Sequence, residues 1–174
     1  MPEKSQTILF LVRHGETDHN YSQNPATDQQ RQLTIFGRKQ SCVVGQFLDQ
    51  FSPAVIYSSP LDRCIETAKL IKAEIESRPE IIKNTALYEI YSETPKVRHE
   101  AGERGETIFS TVLRDHRGEQ VVAVTHQYII GYIVADFFNI DYQSVRCEFA
   151  DVYRLVFAND NLVEVARLQP AYGV

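Results

Sequence analysis

Two short apolar runs constrain this chain most: Ile8-Leu9-Phe10-Leu11-Val12 near its start, and Val121-Val122-Ala123-Val124 far along it. Runs of this length bounded by polar residues read as buried strands. The first ends in Arg13-His14-Gly15-Glu16-Thr17 and the second in Thr125-His126. Ligands of open α/β sheets sit at the carboxyl ends of the strands. In a largely parallel sheet both ends emerge on one edge, which brings His14 and His126 within reach of one ligand. A histidine there can attack an electrophile or shuttle a proton. Arg13 can grip an anion with its planar fork of donors, and Gly15 allows a sharp turn or close approach.

The rest of the chain alternates strands with helices. Residues 18–32 are polar and read as a long surface loop. Thr34 is placed to cap a helix running to about Phe51, whose stripe Val43, Val44, Phe47, Leu48 and Phe51 has helical spacing. Ala54–Ser58 is a short strand. Ser59-Pro60-Leu61-Asp62 then reads as a helix start, with Ser59 as N-cap and Pro60 in the first turn. Leu61, Ile65, Ala68, Ile71 and Ile75 form the apolar face of that helix. A strand is expected over 80–84, helices over Thr107–His116 and Tyr128–Phe138, and a closing hairpin over 151–158 and 162–168 around Asn159-Asp160-Asn161. The pattern predicts an α/β fold: a three-layer α/β/α sandwich with a mostly parallel, mixed central sheet. A length of 174 residues suits one domain spanning 1–174.

The formal charge is 18 − 23 = −5, so nothing attracts nucleic acid or an anionic membrane in general. An anion site must be assembled locally. Cys42, Cys64 and Cys147 form no CxxC pair and are odd in number, as expected for reduced thiols in the cytoplasm. No leader peptide or membrane span is expected.

Such an assembly is visible in the order of elements. The helix carrying Arg63 begins at the same sheet edge as His14 and His126, and helix N-termini favour anions. Two arginines, two histidines and a helix start therefore converge, and phosphate is the natural occupant. A metal fits poorly: two guanidinium groups repel a cation, and no carboxylate or cysteine stands at ligand spacing to either histidine. His19, His99 and His116 show no ligand pattern and read as surface or loop residues.

On these residues the chain resembles the histidine phosphatase superfamily, also called the phosphoglycerate mutase-like family. Arg-His-Gly-Glu-Thr stands at 13–17, followed by Asn20. Leu33, Thr34, Gly37 and Gln40 match the next motif. Ser58, Ser59, Pro60, Leu61, Arg63, Thr67 and Ala68 match the one after. Leu87 with Glu89, then Gly105, Glu106 and Thr107, then His126, follow in the family's order. His126 is followed by Gln127, which departs both from the branch with aspartate there and from the branch with glycine.

The resemblance implies that His14 attacks phosphorus and forms a phosphohistidine, with its other ring nitrogen donating to a carbonyl near Gly15. It implies Arg13, Asn20, Arg63 and His126 as phosphate ligands and Glu89 as the acid that protonates the leaving oxygen. Thr17, Gln127 and Arg98 are further candidates for substrate contact. Glu16 is expected to orient backbone or cations, and Glu106 to charge a helix start. No metal or cofactor is implied. The expected partner is a phosphorylated small molecule or a phosphoprotein, with neither nucleic acid nor membrane; the sequence carries no sign of oligomeric state. The short segment between Glu89 and Thr107 predicts an open pocket, and hence a phosphatase rather than a mutase. A non-catalytic phosphate-binding protein on the same fold is the alternative of another class.

Overall fold

Alternation inside the strands decides the layers. In a computed structural model describing residues 6–18, 24–91 and 96–170, the first run is strand β1 (Thr7–Arg13). Leu9 and Leu11 point into one apolar cluster and Phe10 and Val12 into another. The second run, β4 (Gln120–Thr125), divides in the same way: Val121 and Ala123 on one side, Val122 and Val124 on the other. Two-faced burial of this kind needs helices on both sides of the sheet.

Those helices are α2 (Ile35–Asp49) and α3 (Asp62–Glu74) on one face. On the other lie α4 (Lys96–Asp115) and α5 (Gln127–Phe138). With β2 (Val55–Ser58), β3 (Glu80–Lys83), β5 (Val152–Ala158) and β6 (Asn161–Leu168), the sheet order is β3-β2-β4-β1-β5-β6. The pairings β3-β2, β2-β4 and β4-β1 are parallel, and β1-β5 and β5-β6 antiparallel. This is the expected three-layer α/β/α fold with a mostly parallel, mixed sheet. In the closing hairpin Asn159 and Asp160 both have positive φ, the two-residue turn that matches strand twist. Among the described residues no helix is long and apolar enough to cross a membrane.

Three expectations change. The polar stretch 18–32 is not simply a surface loop: Asn24 caps a one-turn helix, α1 (Pro25–Asp28), and Asp28 and Arg31 are buried. The helix expected over Thr107–His116 begins earlier, at Lys96, because Val97, Ala101 and Ile108 continue one buried face. Finally, α3 starts after Leu61, with no side-chain cap. The Ser59 hydroxyl lies 2.8 Å from His126 Nε2 and receives only a long 3.4 Å bond from Leu61 N–H. The imidazole has claimed the group that was expected to cap the helix.

The exit of β1 is locked onto the start of α2. Thr34 Oγ1 accepts from Gly37 N–H, while the Thr34 hydroxyl donates to Glu16. A Cβ on Gly37 would fall well inside contact distance of Glu16 backbone atoms, and one on Gly15 would meet the Gly37 carbonyl. Alanine at an ordinary helix position gains up to about 1 kcal/mol over glycine. Here backbone against backbone cannot give way, and overpacking of this kind costs about 1–3 kcal/mol. Gly37→Ala should therefore lower the denaturant midpoint; an unchanged or higher midpoint would mean the two segments separate freely.

Candidate active site

Strands β1 and β4 are adjacent and parallel, with Arg13 beside Thr125. The helix after β1 that packs on the sheet, α2, lies on one face, and the helix after β4, α5, lies on the other. Adjacent strands whose connections leave in opposite directions open a crevice at their carboxyl ends. His14 and His126 flank that crevice with ring centroids 5.3 Å apart.

Each imidazole is held by one nitrogen. His14 Nδ1 lies 2.9 Å from the Gly15 carbonyl, which can only accept, so Nδ1 carries the proton and Nε2 keeps its lone pair. Arg63 Nε–H points at that lone pair from 3.2 Å. Burial, then the charges of Arg63 and Arg13, hold the His14 pKa well below the usual imidazole range. His126 Nε2 bonds the Ser59 hydroxyl, and Nδ1 lies 3.3 Å from Arg63 Nη2. Burial and Arg63 depress its pKa as well. Both rings are therefore neutral near pH 7, and His14 Nε2 keeps its lone pair.

Glu89 follows the short 3₁₀ turn Thr85–Leu87 and enters the same cluster. It is 4% exposed, with Oε2 3.5 Å from His126 Nδ1 and 3.8 Å from Arg63 Nη2. Burial pushes its pKa up to about 7, against the opposing pull of the Ile90 N–H and Arg63. That poises the carboxyl to give and take a proton near neutrality.

Arg13 closes another side. Its guanidinium lies 4.0 Å over the Phe149 ring, and Nη1 donates to the Cys147 carbonyl. Its Nε–H is buried and finds no acceptor among the described residues. A buried N–H left unpaired on a cation is available to an acceptor that enters the site. Cys64 Sγ lies 3.5 Å from His126 Nε2, and burial pushes this thiol up to about 12, so it acts as a small buried side chain rather than a thiolate. All three cysteines are free.

The structure thus brings Arg13, His14, Arg63, Glu89 and His126 together. Thr17 lies nearby, its hydroxyl accepting from Arg31. Gln127 is the first residue of α5. Arg98 stands apart, 61% exposed and paired with Asp136 on α5. Asn20 and His19 lie outside the described residues. Glu106 is exposed in mid-helix rather than at a helix start, because α4 begins ten residues earlier. His99 is exposed on α4, and His116 bonds the Tyr57 hydroxyl. Among the described residues no group of three or more His, Cys, Asp or Glu could hold a metal ion.

Three residues of the cluster escaped the sequence reading. Asp28 accepts from Arg63, Arg31 and Tyr91, all within 3.0 Å. A signal was available. Asn24-Pro25 is a good helix start, and Asp28 and Arg31 are spaced to meet across one turn. His14 is only 1% exposed, and residues 92–95 of the short segment expected to leave the pocket open lie outside the described residues.

With this geometry in view, comparison with known proteins is decisive. A family model described as "Histidine phosphatase superfamily (branch 1)" matches residues 9–99, just over half of the chain. The chain belongs to the histidine phosphatase superfamily. Within it, the chain is 30% identical over 142 residues to the Phosphohistidine phosphatase SixA homolog of Haemophilus influenzae, covering 75% of this chain and 76% of that protein. A 65-residue stretch is 38% identical to the Uncharacterized phosphatase PhoE of Bacillus subtilis, covering 37% of this chain and about a third (34%) of that protein's length. A phosphoserine phosphatase mutant from Entamoeba histolytica, solved in complex with phosphoserine, superimposes with a TM-score of 0.72 at 18% identity, over 90% of this chain and 94% of that one. At that identity the superposition speaks for the histidine phosphatase fold alone.

Proposed function

We propose that this protein is a metal-independent phosphatase that hydrolyses phosphomonoesters through a phosphohistidine at His14. One observation carries the reading: a neutral imidazole whose Nδ1 is committed to Gly15, and whose Nε2 lone pair faces a guanidinium, stands in one cluster with a carboxyl titrating near 7.

The steps follow from these groups. Nε2 attacks phosphorus, an N–P bond forms, and the P–O bond to the leaving group breaks. Arg63, Arg13 through its unpaired Nε–H, and His126 take up charge on the transferring oxygens, the main demand of phosphoryl transfer. Glu89, protonated below about pH 7, gives its proton to the leaving oxygen. As a carboxylate it then takes one from water, which attacks phosphorus, breaks the N–P bond and restores the imidazole. The substrate class is a phosphorylated small molecule or a phosphorylated protein side chain.

Hydrolysis rather than mutase chemistry is supported by two relatives named as phosphatases and by the brevity of the 90–106 segment. Turnover of p-nitrophenyl phosphate that persists in chelator and vanishes in His14→Ala is the expected result. A wild-type protein that binds phosphate or vanadate without turnover would favour a non-catalytic binder, and phosphoglycerate isomerisation outrunning hydrolysis would favour the mutase.

The role of Glu89 has its own test. Glu89→Gln should slow esters with poor leaving groups about 10²-fold or more and p-nitrophenyl phosphate far less, since that leaving group needs little protonation. The acid is present below about pH 7 and is lost as pH rises through it. For poor leaving groups kcat/KM should therefore fall above neutrality in wild type, and that limb should be missing in the variant. Equal losses on both esters would remove Glu89 from this role.

A further inference from the structure

The proposed mechanism leaves the buried Asp28–Arg31 pair unused. Asp28, at the end of α1, is fully buried and contacts Arg63 twice: its Oδ2 accepts from Nη2 at 2.8 Å, and its backbone carbonyl accepts from Nη1 at 2.9 Å. Its Oδ1 accepts from Arg31 Nη1 at 2.8 Å, and the Tyr91 hydroxyl donates to Oδ2 at 3.0 Å. Arg31 is itself fixed by two bonds to the Thr17 hydroxyl. One carboxylate therefore sits between two guanidinium groups and holds both.

We propose that Asp28 is a positioning residue: it grips the outer edge of the Arg63 guanidinium and so turns the remaining Nε–H edge toward His14 Nε2, where the phosphoryl group must sit. This rests on the phosphatase reading above. Three features support it. Both Nη atoms of Arg63 are engaged by Asp28, so the fork cannot rotate about its own axis, while Nε is left facing the nucleophile. The charge also fits. Arg13, Arg31 and Arg63 supply three positive charges and Asp28 one negative, which leaves two to meet a phosphoryl dianion when Glu89 is protonated. Lastly, hydrogen bonds from Arg31 and the charge of Arg63 keep the Asp28 carboxyl ionised against the opposing effect of burial.

A contrasting role would be a plug, in which the carboxylate imitates phosphate and must leave before substrate enters. The four bonds that Asp28 receives argue for a permanent fixture, since releasing it would strand two buried cations. The two roles predict opposite results.

The test uses Asp28→Asn in the full chain, with orthovanadate and inorganic phosphate as calorimetric probes. Positioning acts on the trigonal-bipyramidal geometry more than on the tetrahedral ground state. Vanadate binding and kcat for p-nitrophenyl phosphate should each weaken about tenfold or more, while phosphate binding and KM change less than about threefold. A second readout follows from electrostatics. Glu89 faces Arg63 from α3, Arg13 from β1, His126 after β4 and Asp28 from α1, and Asp28 raises its pKa. Removing that charge should move the alkaline limb of the pH profile for poor leaving groups to lower pH, which a merely structural role would not do. Tighter binding of both anions with faster turnover would establish the plug and overturn positioning. Unchanged anion binding and an unmoved limb, with only a lower Tm, would make Asp28 structural. A wild-type protein that neither binds vanadate nor turns over would overturn the phosphatase reading and this inference together; vanadate binding by wild type that is unaltered in the variant overturns this inference alone.

Discussion

His14→Ala is expected to lower kcat for a phosphomonoester by ~10⁴-fold or more, since losing a covalent nucleophile removes the reaction path itself and not just one contact along it. The site is built around that nitrogen. Its partner nitrogen is spent on the Gly15 carbonyl, Arg63 faces it, and burial together with the surrounding cations keeps it unprotonated. Acid-base and electrostatic groups would survive the substitution, so residual activity measures what they do without the nucleophile. Steady-state rates and a phosphate-labelling experiment test this together. Wild type should trap an acid-labile, base-stable phosphoenzyme, and the variant should trap none. Turnover within tenfold of wild type, or labelling at another residue, would end the proposal.

Arg63→Ala should have the next largest effect, and on two measurements at once. Loss of one preplaced donor to a developing oxyanion typically lowers the rate by ~10²–10³. Arg63 also neutralises Asp28, and breaking a buried ion pair by removing one partner costs about 3–5 kcal/mol. Arg31 remains bonded to Asp28 and should soften that cost. The variant is thus expected to fold, with a clearly lower denaturation midpoint and little activity. Arg63→Lys keeps the charge but cannot bridge Asp28 and His14 with one planar group. It should recover stability better than rate. A lysine variant with near-normal kcat would show that charge alone suffices and that the fork geometry is unimportant.

Much of the fold was legible because burial writes its own period. The runs at 8–12 and 121–124 are apolar at every position, and a strand covered on both faces demands that. The Asn159-Asp160 turn was legible because few residue pairs tolerate positive φ at two successive positions. Of the site, Arg13, His14, Arg63, Glu89 and His126 were named from motifs, and they do meet. Their chemistry was less legible. On its own, Glu89 reads as an ordinary surface glutamate; only burial beside Arg63 and His126 brings its titration near 7.

The misses have physical causes. Polar residues at 18–32 suggested solvent, yet Asp28 and Arg31 are buried because each satisfies the other, with Arg63 bonding Asp28 and Thr17 bonding Arg31 as well. Composition cannot separate a solvated ion from a paired one. Ser59 carries a good capping signal, but its hydroxyl serves an imidazole contributed by a distant strand. Arg98 lies near the motifs in sequence, and α4 carries it away to pair with Asp136.

By itself, then, the order of residues determined which strands are buried, that the chain alternates into three layers, and which side chains reach the carboxyl edge of the sheet. Those properties follow from local periodicity and from short-range motifs. Tertiary structure alone decided that His126 is held between Ser59 and Arg63, that Glu89 is poised near neutrality, and that Asp28 stands behind Arg63. Each of these depends on desolvation and on partners far away in the chain, and neither is written at the position whose chemistry it sets.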